Sequence, residues 1–290
     1  MANSHEATDE DKMTLLVGFD SAWTAHNSGA LVGVLRFDDG NFRDLGPPQI
    51  VDYPQAEAVI SKWQADFAPA ATIVMLDQPT IVPNAAGQRP VENIVGSAVS
   101  RRYGGMQPAN TAKAEMFGPE APVRPFLKRF GGPADPTGPV AGTMVIETYP
   151  VLAIISLDWM LLDLSPQARL AGRLPKYNPE RQTFSLEEWQ HVCIQASGAF
   201  REFKLAGMAD WIDEASLLSD PRKEDQDRLD ACLCLLVALH VAEQKQCLIV
   251  GDLQTGYIVV PHSAELHAEL DARCKDTGRE PSEWVRKFPA

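Results

Sequence analysis

The chain has 290 residues, 45% of them hydrophobic and 22% charged, with a formal net charge of −13. No window approaches the ~18 consecutive apolar residues of a membrane helix, which excludes that class, and so acidic a chain is a poor general binder of nucleic acid. Its five cysteines (Cys193, Cys232, Cys234, Cys247, Cys274) are odd in number and form no C-x-x-C pair, so they read as reduced thiols of a cytoplasmic protein rather than a disulfide framework.

The opening "MANSHEATDEDKM" is polar and acidic, without the basic flank and apolar run of a signal peptide, and residues 1–12 are expected to be disordered. "MTLLVGFD" (13–20) is an apolar run ending in Asp and predicts a buried strand. "GALVGVLRF" (29–37), the turn "DDGN" and "FRDLGPPQIV" (42–51) predict a hairpin, so the first three strands are expected to be antiparallel. "PQAEAVISKWQADFA" (54–68) carries Ala58, Val59, Trp63 and Phe67 at helical spacing behind Pro54. "ATIVMLDQP" (71–79) is a second apolar run closing on an acid.

Residues 79–142 hold ten of the 22 prolines. Apart from a helix over about 90–103 they read as ordered loops, kept from disorder by their aromatics and functional by their length. "GTMVIETYP" (142–150) is the third strand of the apolar-then-acidic kind. Helices are predicted over 151–162, 185–203 (with Ser185 and Glu188 as a capping box) and 222–243. "CLIVGD" and "GYIVVP" (247–261) make a closing hairpin, and 263–276 a last helix. The expected architecture is α/β: a mixed five-stranded sheet flanked by helices, one domain over 13–290, with insertions at about 79–142 and 151–221.

Several catalytic motifs are absent: no phosphate-binding loop, no G-x-G-x-x-G, no H-E-x-x-H and no G-x-S-x-G occurs. His262 and His267 are five apart, about 140° around a helix, a spacing unsuited to a shared metal. What remains is a set of acids. Asp20 and Asp77 end strands, Glu147 sits near the end of another, and Asp227 and Asp230 stand one turn apart where a nearly all-apolar helix begins. Each alone has an ordinary reading as a turn residue or helix cap. Together they matter more, because parallel strands bring their carboxyl ends to one edge. Carboxylates converging there repel one another unless cations lie between them. Mg2+ or Mn2+ suits such oxygen ligands, and a pair of such ions can assist hydrolysis of a phosphodiester.

The order of elements resembles the ribonuclease H fold, whose metal-binding acids lie at the ends of the first and fourth strands and on the last core helix. Asp20, Asp77 and the Asp227/Asp230 pair occupy those places. "DRLDA" is similar to the corresponding helix start in RuvC-type Holliday-junction resolvases, and "ETYP" (147–150) echoes their next strand end. More closely, "GFDSAW" (18–23), "LDQP" (76–79), "RPVE" (89–92), "IETYP" (146–150), "PKY" (175–177), "LDACLCLLVA" (229–238) and "GYIVVP" (256–261) resemble, in that order, the domain-of-unknown-function family 429 of predicted nucleases.

The resemblance implies a metal-dependent nuclease or phosphodiesterase. Asp20, Asp77 and Asp230 would bind metal, Asp227 would assist, and Glu147 would be a ligand or would orient one. Residues 88–181, with 11 Lys/Arg against 8 Asp/Glu, are where a nucleic acid or small phosphodiester would approach, with Arg89, Arg101, Arg102 and Lys176 as candidate contacts. Two other readings stand beside it: a non-catalytic binding protein on the same fold, and an actin-like phosphotransferase. The latter is disfavoured because "DSAWTAHNSG" lacks a Gly-rich cradle after the first-strand Asp.

Overall fold

A computed structural model describes residues 13–99, 106–161, 170 and 174–289; the expected tail over 1–12 lies outside them. Strand β1 (Met13–Asp20) is buried from Leu15 onward and pairs antiparallel with β2 (Gly29–Phe37). The expected third strand is two short ones, β3 (Phe42–Asp44) and β4 (Gln49–Val51), both antiparallel to β2. Pro47 and Pro48 explain the break: neither has an N–H for the ladder. Helix α1 (Tyr53–Phe67) begins with a capping box. Gln55 N donates to Asp52 at 2.8 Å, and Asp52 N donates to the Gln55 side chain at 2.9 Å. Strand β5 (Ala71–Asp77) lies parallel to β1, and β6 (Gly142–Glu147) parallel to β5. The sheet is therefore mixed and six-stranded, in the order β3–β2–β1–β5–β6 with β4 also on β2.

Between β5 and β6 lie α2 (Pro90–Val95), α3 (Ala114–Phe117) and α4 (Val123–Arg129). Helix α2 stops at Gly96, well short of 103; residues 100–105 fall outside the described set. Helix α5 (Pro150–Ser156) also ends early, where Asp158 takes a left-handed φ of 60°. Helix α6 (Leu186–Glu202) starts at Ser185, which accepts from Glu188 N at 3.3 Å. The Glu188 carboxylate does not return to close a capping box; it accepts from Lys176 N at 2.5 Å. Helix α7 (Ala206–Ser216) was not expected from the sequence. Helix α8 (Lys223–Ala242) matches its expected span to within a residue. A second, antiparallel sheet, β8–β7–β9, joins the hairpin β7 (Cys247–Asp252) and β8 (Gly256–Pro261) to the unexpected β9 (Val285–Phe288), after α9 (Ala264–Asp276) and the short α10 (Pro281–Trp284).

Alternation along β1 divides the core. Leu15, Val17 and Phe19 pack with residues of α1 and α4 on one face, while Leu16 packs with α8 and the helices beyond it on the other. From Leu229 to Leu239 every residue of α8 is buried, as expected of a helix apolar on all sides. All five cysteines are buried and free. Among the described residues no helix is long and apolar enough to cross a membrane.

Gly18 sets how closely α8 approaches the sheet. A Cβ there would land on the Ala231 carbonyl oxygen and 2.5 Å from the Leu235 amide nitrogen, both backbone atoms that cannot turn aside. Gly18→Ala is expected to cost about 1–3 kcal/mol through overpacking. Gly198→Ala, on α6 with nothing near its would-be Cβ, is expected to stabilise by roughly 0.5–1 kcal/mol. Urea titration of the two variants checks both signs; equal midpoints would contradict the packing argument.

Candidate functional site

Asp20 and Asp77 are register partners at the ends of β1 and β5. Neighbouring strands run about 4.8 Å apart, and the two carboxyl groups come within hydrogen-bond reach of each other. Asp230 adjoins Ala231, the residue of α8 that meets Gly18, so the same helix contact delivers it to the strand ends. Asp227 lies one turn earlier. Asp20, Asp227 and Asp230 are 7%, 6% and 5% exposed, so these three are recessed below the surface, while Asp77 is half-buried.

Burial pushes Asp20 well above the usual carboxylate range, and Asp230, Asp77 and Asp227 add repulsion against the partial relief of Lys223. Asp77 is raised for the same reason: burial first, then repulsion from Asp230 and Glu147. Asp230 is pushed up to about 7 by burial. Hydrogen bonds from Tyr177 Oη (2.8 Å to Oδ1) and Gln226 Nε2 (2.7 Å to Oδ2) fix the carboxyl group in place and oppose that rise. Lys223 Nζ donates to Asp227 one turn along.

The chemistry of this donor set, oxygen-only carboxylates that repel one another, is of the kind that a divalent cation takes. Among the described residues no group of three or more His, Cys, Asp or Glu is placed to hold a metal ion as the side chains stand, so the cluster is a set of converging acids and not a formed ligand shell.

The loops beside the cluster are locked to each other. Trp23 Nε1 donates to the Asp77 carbonyl at 2.8 Å, and Ser21 Oγ donates to Gln78 Oε1 at 2.8 Å. Tyr53 Oη donates to the same oxygen, while Gln78 Nε2 donates to Met116 O at 3.1 Å. Trp23 takes a left-handed φ of 57°, a conformation bulky residues hold only where their surroundings impose it.

Glu147 lies near Asp77 but faces away from the Asp20–Asp77 pair. It pairs in register with Leu76, not Asp77, so the period of two sets it on the opposite face of the sheet. Its carboxylate takes both Arg89 terminal nitrogens, at 3.0 and 2.6 Å, and the Thr80 amide at 2.9 Å. Arg89 itself has no exposed surface. It continues to Glu92 through Nε at 2.7 Å and to Ile81 O through Nη1 at 3.1 Å. The candidate substrate contact Arg89 is thus fully engaged by carboxylates, although it borders the cleft above the acids. Lys176 Nζ stands 3.7 Å from Glu188, and Arg101 and Arg102 lie outside the described residues. His262 and His267 do not diverge as expected: their rings meet edge to face at 5.5 Å, because His262 precedes α9 instead of lying on it.

Above the acids runs a cleft with two lobes of about 140 Å³ each. Asp77, Tyr149 and Arg181 line both. Trp23, Pro79 and Gln107 are among the other residues of the first, as are Arg89 and Glu147, and Lys176, Tyr177, Gln226 and Asp230 are among those of the second. Of these, Gln107, Gln226 and Arg181 carried no functional expectation from the sequence. Gln226 stands at i−4 from Asp230, a spacing that signals side-chain contact on a helix; Arg181 carries no such signal.

Fold and site define a mixed α/β protein with a buried carboxylate cluster at neighbouring strand ends beneath an open cleft. The chain belongs to the family described as protein of unknown function (DUF429), whose model matches residues 18–255 and so spans all five acids. No curated protein and no solved structure matches it.

Two outcomes separate the roles of these acids. Glu147→Ala leaves Arg89 buried with half its neutralisation gone and is expected to cost about 3–5 kcal/mol, read by denaturant titration. Asp230 acts in the other direction. Its folded value near 7 lies above its ordinary 3.8, so between the two the folded chain keeps a proton that the unfolded chain has released. That stability is full below about pH 4 and is lost as pH rises through about 7. Metal-free protein should weaken over that window. Asp230→Asn should flatten the profile and stabilise the protein at about pH 8 by more than about 1.4 kcal/mol, one pKa unit's worth. Melting curves in chelator check it, and an unflattened profile would contradict it.

Proposed function

We propose that the chain is a magnesium- or manganese-dependent phosphodiesterase of nuclease type on a ribonuclease H-like fold. The observation that carries this is the pairing of Asp20 with Asp77 at adjacent parallel strand ends, with Asp230 pressed onto them by α8. Three antiparallel positions followed by two parallel strands, with α8 across the first, support the fold assignment; the recessed, mutually repelling acids support the metal.

Asp20, Asp77 and Asp230 are the residues that would hold the cation, which when bound supplies Lewis acidity at the phosphoryl group and acidifies water. The chain's own part is orientation. Tyr177 and Gln226 fix both oxygens of Asp230, as second-layer hydrogen bonds fix metal ligands generally. Trp23 and Ser21 hold the main chain at Asp77. Asp227 assists by keeping the Lys223 ammonium beside the cluster. The substrate on this reading is a nucleic acid or a small phosphodiester.

One observation favours a second reading, a binding protein without catalysis. Lys223 already supplies positive charge to acids that form no ligand shell as the side chains stand. Calorimetric titration with Mn2+ separates the two. The nuclease reading expects binding at millimolar or tighter affinity, and metal-dependent cleavage that falls to background in Asp20→Asn and Asp230→Asn. It expects a loss of about 10–100-fold in Tyr177→Phe. Equal cleavage by purified wild type and Asp20→Asn would sink it.

A further inference from the structure

Four cations of this region have visible employment or none. Arg89 is sealed against Glu147 and Glu92, Lys176 reaches Glu188, and Lys223 lies on Asp227. Arg181 differs: it is exposed, and among the described residues no carboxylate pairs with its guanidinium. It nevertheless lines both lobes of the cleft beside Asp77 and Tyr149. It is close enough to oppose the upward push that burial and Asp77 exert on the Tyr149 phenol.

A guanidinium with no carboxylate partner among the described residues, at the mouth of an acidic recess, is a site for an anion that must come close to those acids. Its planar fork matches a phosphate through two parallel hydrogen bonds. Asp20, Asp227 and Asp230 are at most 7% exposed and Asp77 is half-buried beside the cleft, so a phosphodiester that enters the cleft reaches them, and the phosphates of a rigid duplex stay on its outside. Trp23, Tyr149 and Pro79 give the first lobe flat walls of the kind on which unpaired bases stack.

We propose that Arg181 grips the phosphate of an unpaired nucleotide, in a single strand or a small nucleotide phosphodiester, and so selects unpaired over duplex substrate. The inference rests on the phosphodiesterase reading for its substrate class, but its test does not depend on catalysis.

The probes are a short fluorescein-labelled, cleavage-resistant phosphorothioate single strand, the same sequence as a duplex, and a dinucleotide competitor. Binding to the full chain is read by anisotropy with and without Mn2+. Arg181→Ala is expected to weaken single-strand binding by at least about tenfold and to lower the salt slope by about 0.7, the share of one phosphate contact. Its melting temperature and calorimetric Mn2+ affinity should match wild type. Arg181→Lys should fall between, keeping the charge and losing the fork. Displacement by the dinucleotide would place the grip on a single phosphodiester; failure to displace would place it on an extended strand. Unchanged affinity in Arg181→Ala, duplex binding as tight as single-strand binding, or no strand binding by wild type would each overturn the proposal. Absence of Mn2+ binding in wild type, with Arg181-dependent strand binding intact, would instead defeat only the metal reading.

Discussion

Helix α8 touches the backbone of β1 at Gly18, where a single added carbon would collide with Ala231 and Leu235. Such an approach is available to no residue but glycine, and the placement of the acids follows from it. Strand pairing alone puts Asp20 beside Asp77. The third carboxylate arrives because Asp230 adjoins the contact point, and Asp227 comes with it one turn away. A helix held further out would leave two acids at a sheet edge, each satisfied by solvent. Close-packed cores transmit small displacements instead of absorbing them, so the glycine of "GFD" belongs to the site although it has no side chain.

A second constraint holds the insertions in place. Arg89 joins Glu147 on β6 to Glu92 on α2, and Glu92 also accepts from the Ala109 amide at 3.1 and 3.0 Å. Gly256, with a φ of +108°, leaves room for the Arg89 side chain, 2.6 Å from where its own Cβ would lie. One guanidinium thus fixes the β5–β6 insertion, the end of β6 and the hairpin of the second sheet. Desolvation offsets much of the attraction in such a buried cluster, so its contribution is specificity of arrangement more than net stability. That arrangement is what "RPVE", the Glu of "IETYP" and the Gly of "GYIVVP" have in common.

The parts legible in the sequence were those written in local periodicity. Apolar runs closing on an acid marked β1 and β5, and an all-apolar stretch behind two acids marked α8. What stayed hidden depends on distant partners. Nothing near Glu147 says that β6 aligns it with Leu76 instead of Asp77, and that one-residue register decides which face it serves. Arg89 reads from the sequence as a candidate substrate contact because its main partner is 58 residues away. Helix α7 was overlooked although Met208, Ala209, Ile212 and Ala215 carry its buried stripe, since Gly207 weakens the helical signal. Tyr177 was visible within "PKY", but its hydrogen bond to Asp230 spans 53 positions and has no local trace.

Bringing Asp20, Asp77 and Asp230 together opposes folding, because burial pushes all three carboxyl groups up and Asp230 adds repulsion against Asp20 and Asp77. The chain tolerates this on the strength of α8, a long helix whose apolar residues bury some 1.5–3 kcal/mol apiece for the larger side chains. Lys223 relieves part of the repulsion from the rim, and protons relieve more at low pH. The remaining repulsion is free energy available to any cation that enters. Proteins commonly retain destabilising features where function depends on them. A helix so uniformly apolar is then the structural counterpart of acids so poorly compensated, and the two properties meet at Asp230.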